Sequence, residues 1–130
     1  MIAPPLVGIR HVALRVRDLA ATERFWVDVI GFRVEWRPDD DNVYLASGAD
    51  NLAFHRADSV VGDGALDHVG LAVARAEDVD AWAAHLRASG VALATEPRTH
   101  RDGSRSLYFR DPAGTLVQIL WHAPLLGRES

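Results

Sequence analysis

The segment Ile9-Arg10-His11-Val12-Ala13-Leu14 returns in the second half of the chain as Leu66-Asp67-His68-Val69-Gly70-Leu71, with a histidine at the same place in each copy. A unit duplicated within so short a chain predicts one pseudo-symmetric domain whose corresponding positions face each other across an internal axis. On that symmetry His11 and His68 converge.

Each half follows one plan. After His11, whose surroundings alternate as in a strand, apolar residues between Asp18 and Trp26 fall at helical spacing, and Asp18 suits a helix N-cap. Gly31 can take the left-handed conformation that closes a helix, and alternation resumes over 32–36. Strands are expected over 43–46 and 51–55, the first following a hairpin-tip run, Asp39-Asp40-Asp41. In the second half Val79, Trp82, Ala83 and Leu86 make one apolar helical stripe, closed by Gly90. Trp26 and Trp82 are both expected on the buried faces of their helices. Strands follow over 91–94, 106–109 and 115–121, the last entered through the turn Asp111-Pro112-Ala113-Gly114, where proline second and glycine fourth fit type I. Each half therefore reads strand, helix, strand, strand, strand.

Composition excludes whole classes of function. The 130 residues suffice for one cooperative core, and 48% hydrophobic residues is ordinary for a soluble domain. No apolar run approaches a membrane span, which takes about 18 residues. The opening Met1-Ile2-Ala3-Pro4-Pro5 lacks the basic start and longer apolar stretch of a secretory signal, so a cytoplasmic location is expected. A net charge of −4, from 14 basic against 18 acidic residues, argues against nucleic acid as the main partner. All the basic side chains are arginine, which removes Schiff-base chemistry. Cysteine is absent too, so disulfides, thiolate nucleophiles and thiolate metal sites are excluded, and any metal must be held by nitrogen and oxygen donors.

The repeat, its paired His-Val motifs and the Asp-Pro-Ala-Gly turn before the last strand together resemble the vicinal oxygen chelate superfamily, which contains glyoxalase I, extradiol dioxygenases, fosfomycin resistance enzymes and bleomycin resistance proteins. The resemblance runs from Gly8 to His122. It implies an α+β fold in which two βαβββ modules, over about 8–57 and 66–122, form a curled mixed sheet around a central cavity. Pairing as a homodimer is implied as well.

In metal-dependent members of that family the ligands come from the first and last strands of each module. Carried over by position, His11 and His68 match the first-strand ligands, and Gln118 occupies the last-strand slot of the second half. The fourth slot falls on Ala53 or Phe54, neither of which offers a donor. Two imidazoles and one carboxamide resemble the two-histidine, one-carboxylate set that leaves cis positions open on Fe(II), but glutamine is neutral and a poorer donor to a hard divalent ion. The implied cofactor is a divalent ion, Fe2+, Mn2+, Zn2+ or Ni2+, or none if the site has been lost. Taken singly, each histidine is as readily a packed or hydrogen-bonded residue.

Tyr108 precedes Gln118 by the separation that extradiol dioxygenases show between an active-site tyrosine and the last-strand carboxylate. Its hydroxyl is thereby implied as a catalytic hydrogen-bond or proton donor, the alternative being an aromatic that only packs. The acid-base histidine of those enzymes would fall where this chain has Asp50-Asn51, a departure that argues against ring cleavage. His100-Arg101-Asp102-Gly103 reads as a polar connection, or as a lid in which Arg101 meets an acidic ligand. Phe54 and Trp121 are the expected aromatic lining for a substrate, with Tyr108.

Two principal functions follow. One is a metal-dependent enzyme of lyase, isomerase or dioxygenase type, acting on a small molecule chelated through vicinal oxygens. The other is a metal-free protein of the bleomycin-resistance kind that sequesters an aromatic antibiotic or metabolite. A third, a scaffold without a site, would show neither property.

Overall fold

The computed structural model describes residues 2–3, 5–59 and 66–126; Met1 and Pro4, from the segment read for a leader, lie outside these. The chain divides into two compact units, one through residue 60 and the other from residue 61. The division falls between the two repeats.

The first unit runs β1 (His11–Val16), α1 (Leu19–Arg24), which continues as a π-helical turn (Phe25–Ile30), then β2 (Arg33–Asp39), β3 (Asn42–Ala46) and β4 (Asn51–Arg56). The second runs β5 (Val69–Ala72), α2 (Ala76–Ala88), β6 (Leu93–Thr99), β7 (Arg105–Arg110) and β8 (Leu116–Trp121), and a 3-10 turn (Ala123–Leu125) follows. The sheet orders are β1-β4-β3-β2 and β5-β8-β7-β6, and in both the first and last strands of the module pair in parallel while the others are antiparallel. The two units are thus copies of one βαβββ topology.

Local chemistry explains the helix boundaries. The Asp18 carboxylate accepts the Ala21 N–H at 3.0 Å, and the Thr22 hydroxyl donates to the Asp18 carbonyl at 2.8 Å. Asp18→Ala should lower stability by about 1 kcal/mol in urea denaturation, because an orphan helical N–H loses its acceptor. At the other end Gly31, at φ +97°, donates to the Trp26 carbonyl at 3.0 Å, the i to i−5 closure of a π turn. That extra residue in the turn accompanies a completely buried Trp26, which packs edge-on against Phe32 at 5.2 Å and tilted against Phe54 at 5.9 Å.

The second helix differs from its expectation in one respect. Val79, Ala83 and Leu86 are buried as the stripe requires, but Trp82 is only half-buried and sets its ring edge-on to His85 at 5.2 Å. An indole on the margin of a stripe covers apolar surface while keeping one edge in water. On the opposite margin Asp80 takes both arms of Arg105, at 2.7 and 3.0 Å, which ties α2 to β7. The guanidinium holds the Asp80 carboxyl below the usual aspartate range.

Strands β2 and β6 run further than the alternation predicts, through Pro38 and Pro97. Both are edge strands with irregular register, and an edge position asks no ladder N–H of proline. The Asp39-Asp40-Asp41 run is the exposed β2–β3 tip, where the Asp39 carboxylate accepts from the Asp41 N–H and the Asn42 side chain.

Candidate functional site

Side chains alternate across a strand, so register decides which residues share a face. In the first unit His11 pairs with Asn51, Ala13 with Ala53 and Arg15 with His55. These six lie on the face away from the helix. Val16, Leu52 and Phe54 lie on the other face, buried, with Phe54 under Trp26. In the second unit Gly70 pairs with Gln118, and Gln118 with Tyr108 on its other side. Gly70 and Ala13 hold corresponding places, so the counterpart of Gln118 in the first unit is Ala53 and not Phe54.

Both motif histidines are anchored through the same ring nitrogen. Nδ1 of His11 lies 2.7 Å from the Asn51 side-chain oxygen, and Nδ1 of His68 lies 2.6 Å from an Asp67 carboxylate oxygen. With the proton on Nδ1, each ring donates to its oxygen and presents Nε2 as a free lone pair, the arrangement that orients a ligating or basic imidazole. His68, half-buried, also sets its ring edge-on to Tyr108 at 5.4 Å.

Gln118 is 9% exposed, and its carboxamide has no hydrogen-bond partner among the described residues. A Cβ added to Gly70 would sit 3.5 Å from its Oε1, an ordinary contact distance, so that oxygen lies beside Gly70. The Tyr108 hydroxyl is likewise without a partner among the described residues, while the Tyr108 backbone N–H is held by Thr95 at 3.1 Å. Three groups able to engage a ligand, the His68 imidazole, the Gln118 amide and the Tyr108 phenol, therefore share one region of the second sheet. His11 belongs to the first unit, with its own partner Asn51.

Two of the aromatic residues expected to line a substrate stand elsewhere. Phe54 belongs to the hydrophobic core beneath Trp26 and leaves no surface for a ligand. Trp121 lies in unbroken register with Arg105 and alternates with Gln118, so it shares the face of Val117 and Ile119. In both cases one step along a strand moves a side chain through the sheet. Arg101 lies in the exposed β6–β7 turn, which closes through Gly103 N–H to His100 O at 3.0 Å; it has no ionic partner among the described residues.

Asn51 and Asp67 escaped the sequence reading as partners of the histidines. Asp67 was visible as the neighbour within the motif, whereas Asn51 becomes a partner only through parallel pairing of β1 with β4. The loop before Asn51 is built by Asp50, which accepts from the Ser47 hydroxyl, the Ser47 N–H at 2.7 Å and the Gly48 N–H at 3.2 Å. Partial burial pushes the Asp50 carboxyl up, but those hydrogen bonds together outweigh it and hold the carboxyl below the ordinary aspartate range. Folding then gains stability from Asp50 above its unfolded pKa and loses it as pH falls through the lower folded value. Denaturation midpoints should fall between pH 6 and about pH 3 less steeply in Asp50→Asn than in the parent; equal slopes would show that the loop contributes nothing.

The turn that aims β8 is made the same way. The buried Asp111 carboxylate accepts the Ala113 N–H at 3.0 Å and the Thr115 N–H at 2.9 Å, and the Gly114 N–H donates to the Asp111 carbonyl at 3.0 Å. Gly114 stands at φ +89°, where a side chain would be strained. This anchors the entry to the strand carrying Gln118.

Donor chemistry fits a divalent ion in part. Imidazole Nε2 atoms and an amide oxygen are competent ligands for Fe2+, Mn2+, Zn2+ or Ni2+. Among the described residues, however, no group of three or more His, Cys, Asp or Glu is gathered, so a site must use the amide. No helix among the described residues is long and apolar enough to cross a membrane.

Comparison with known proteins agrees with this architecture. Residues 8–119 match the model of the Glyoxalase/Bleomycin resistance protein/Dioxygenase superfamily. The chain is 30% identical to a 2,2',3-trihydroxybiphenyl dioxygenase of Sphingomonas paucimobilis, a match covering 94% of this chain and 44% of that protein, so it spans less than half of that relative's length. A lactoylglutathione lyase structure from Agrobacterium tumefaciens superposes with a TM-score of 0.75 at 27% identity, covering 95% of this chain and 99% of the other. A fosfomycin resistance protein from Listeria monocytogenes has the same fold at 21% identity, with a TM-score of 0.74 over 91% of this chain and 93% of that one. Repeated topology, paired histidines and the matched model lead to one conclusion: the chain belongs to the glyoxalase/bleomycin resistance protein/dioxygenase superfamily.

Proposed function

We propose that the protein is a metal-dependent enzyme of the vicinal oxygen chelate type, in which a divalent ion is held in the second unit by His68 and Gln118 and takes two neighbouring oxygens of a small substrate. The observation that carries this is the unpartnered Gln118 carboxamide beside Gly70, across the ladder from Tyr108. Fixing of both histidines through Nδ1 supports it, since each keeps Nε2 for a ligand.

A bound divalent ion would supply Lewis acidity, stabilising negative charge that develops on the substrate's oxygens. Tyr108 would donate a hydrogen bond or proton to such an oxygen through its free hydroxyl. Asp67 and Asn51 would hold the two imidazoles in one tautomer, so that no ring has to turn when a ligand arrives. A neutral glutamine leaves the full charge of the ion to attract an anionic substrate. Lyase or isomerase chemistry suits this set better than ring cleavage, because Asn51 stands where an acid-base histidine is expected and is occupied by His11. The protein would work as a cytoplasmic homodimer.

A second reading has its own observation. Ala53 leaves the first unit without a last-strand donor, as a metal-free binding protein for aromatic compounds would. Metal analysis of tag-free protein, with thermal shifts in Fe2+, Mn2+, Zn2+ and Ni2+, decides between them. One ion should raise the melting temperature with increasing concentration, as linkage requires, and His68→Ala should abolish the rise. An unchanged response in His68→Ala, or none in the parent, overturns the metal reading in favour of the second.

A further inference from the structure

The first unit carries two sets of large apolar side chains that face water. One belongs to the segment before β1. From Met1 to Ile9 the sequence holds no charged residue, and Ile2, Leu6 and Ile9 are each more than nine-tenths exposed, with Val7 more than half. Residues 5–9 make no hydrogen bond among the described residues. The segment is nonetheless fixed at its end, because the Arg10 carbonyl accepts the Asn51 N–H at 2.7 Å and so carries the β1–β4 ladder one residue further. The other set is on β2, where Val34 and Trp36 are 42% and 59% exposed. Strands β1 and β2 are the two edges of the sheet, with β4 and β3 between them, so the two sets stand about 14 Å apart. Neither covers the other.

We infer that the two sets meet between chains: the segment before β1 of one copy lies against the Val34–Trp36 edge of a second copy, and the reverse. A two-fold axis makes every contact twice, so a donor at one edge of the sheet and a receiver at the other suit an isologous dimer. The area is sufficient. Covering the four side chains of the segment removes roughly 500 Å² of apolar surface per copy, about 1,000 Å² for both segments before the β2 edges are counted, which reaches the range of specific interfaces. Monomers rarely leave apolar patches of that size open to water. Chemistry narrows the occupant further. A segment built for a membrane surface sets Lys or Arg among its apolar residues, and here none precedes Arg10. On the receiving side, Pro38 and the two register shifts of β2 oppose open-ended strand addition, so the contact is made by side chains and closes with two copies. The inference deepens the homodimer reading above and rests on it, but not on the bound metal.

Sedimentation equilibrium of the full chain should show a dimer at micromolar concentration. Leu6→Asp combined with Ile9→Asp should weaken dimerisation by about 100-fold, and Trp36→Asp should do the same, since each places a charge in the contact. All three positions are exposed, so the variants should keep the parent's circular dichroism. Because the chain has no cysteine, single cysteines test which surfaces meet. In a mixture of Leu6→Cys and Trp36→Cys chains a short bismaleimide should link mainly unlike chains. His68→Ala should dimerise as the parent does while losing the metal response, which separates this inference from the metal reading. A monomeric parent overturns the inference together with the homodimer reading. A dimer indifferent to the aspartate substitutions, or links only between like chains, overturns the inference alone. Sedimentation of the parent with phosphatidylcholine–phosphatidylglycerol vesicles, lost in the Leu6→Asp, Ile9→Asp variant, overturns it in favour of a membrane as the occupant.

Discussion

Gln118→Glu should tighten divalent-metal binding on the order of 100-fold, as expected when a charged carboxylate replaces a neutral amide on a hard ion. The same change should destabilise the metal-free protein. Gln118 is buried beside Gly70 and faces Tyr108, and a carboxylate placed there without a cation is poorly solvated. The two effects have opposite signs, so thermal melts separate them: the melting temperature should fall in chelator and exceed the parent's when saturated with metal. A melting temperature that falls equally in both conditions would mean that residue 118 does not touch the ion. Gln118→Ala, which removes the donor without adding charge, should lose the metal response and leave the chelated protein near the parent.

The second large effect concerns stability. Trp26→Ala should cost about 3–5 kcal/mol, because it removes a fully buried indole from between Phe32 and Phe54 and leaves a cavity that a rigid π turn cannot collapse into. Trp82→Ala should cost markedly less, since that residue is already partly in contact with water and its aromatic contact is an exposed histidine. Urea denaturation of both variants measures the contrast. Equal losses would show that burial does not distinguish these two helices.

That contrast shows where the sequence was legible. Both tryptophans sit at helical spacing in apolar stripes, and spacing alone cannot say how far a neighbouring sheet reaches over the stripe's margin. The helix starts and stops were readable because Asp18, Gly31 and Gly90 act within a few residues of themselves: a carboxylate caps its own turn, and a glycine adopts φ +97° or +80° without help from the rest of the chain. Strand ends were less readable at Pro38 and Pro97, because proline ends a central strand but is harmless on an edge. Whether a strand is an edge depends on the order of the whole sheet.

The candidate site divides along the same line. His11 and His68 stand out through repetition, and Gln118 and Tyr108 through their placement on the two strands around the Asp-Pro-Ala-Gly turn. Duplication, alternation and capping are properties of short stretches of chain, and they already specify that two βαβββ modules form. Tertiary structure alone decided that Ala53 and not Phe54 answers Gln118, that Asn51 holds His11, that Trp121 turns away from the amide, and that Arg15 lies beside His55. Each of these rests on the pairing of strands that are distant in the chain. With side chains alternating across a sheet, a register that differs by a single residue sends every one of them to the other face.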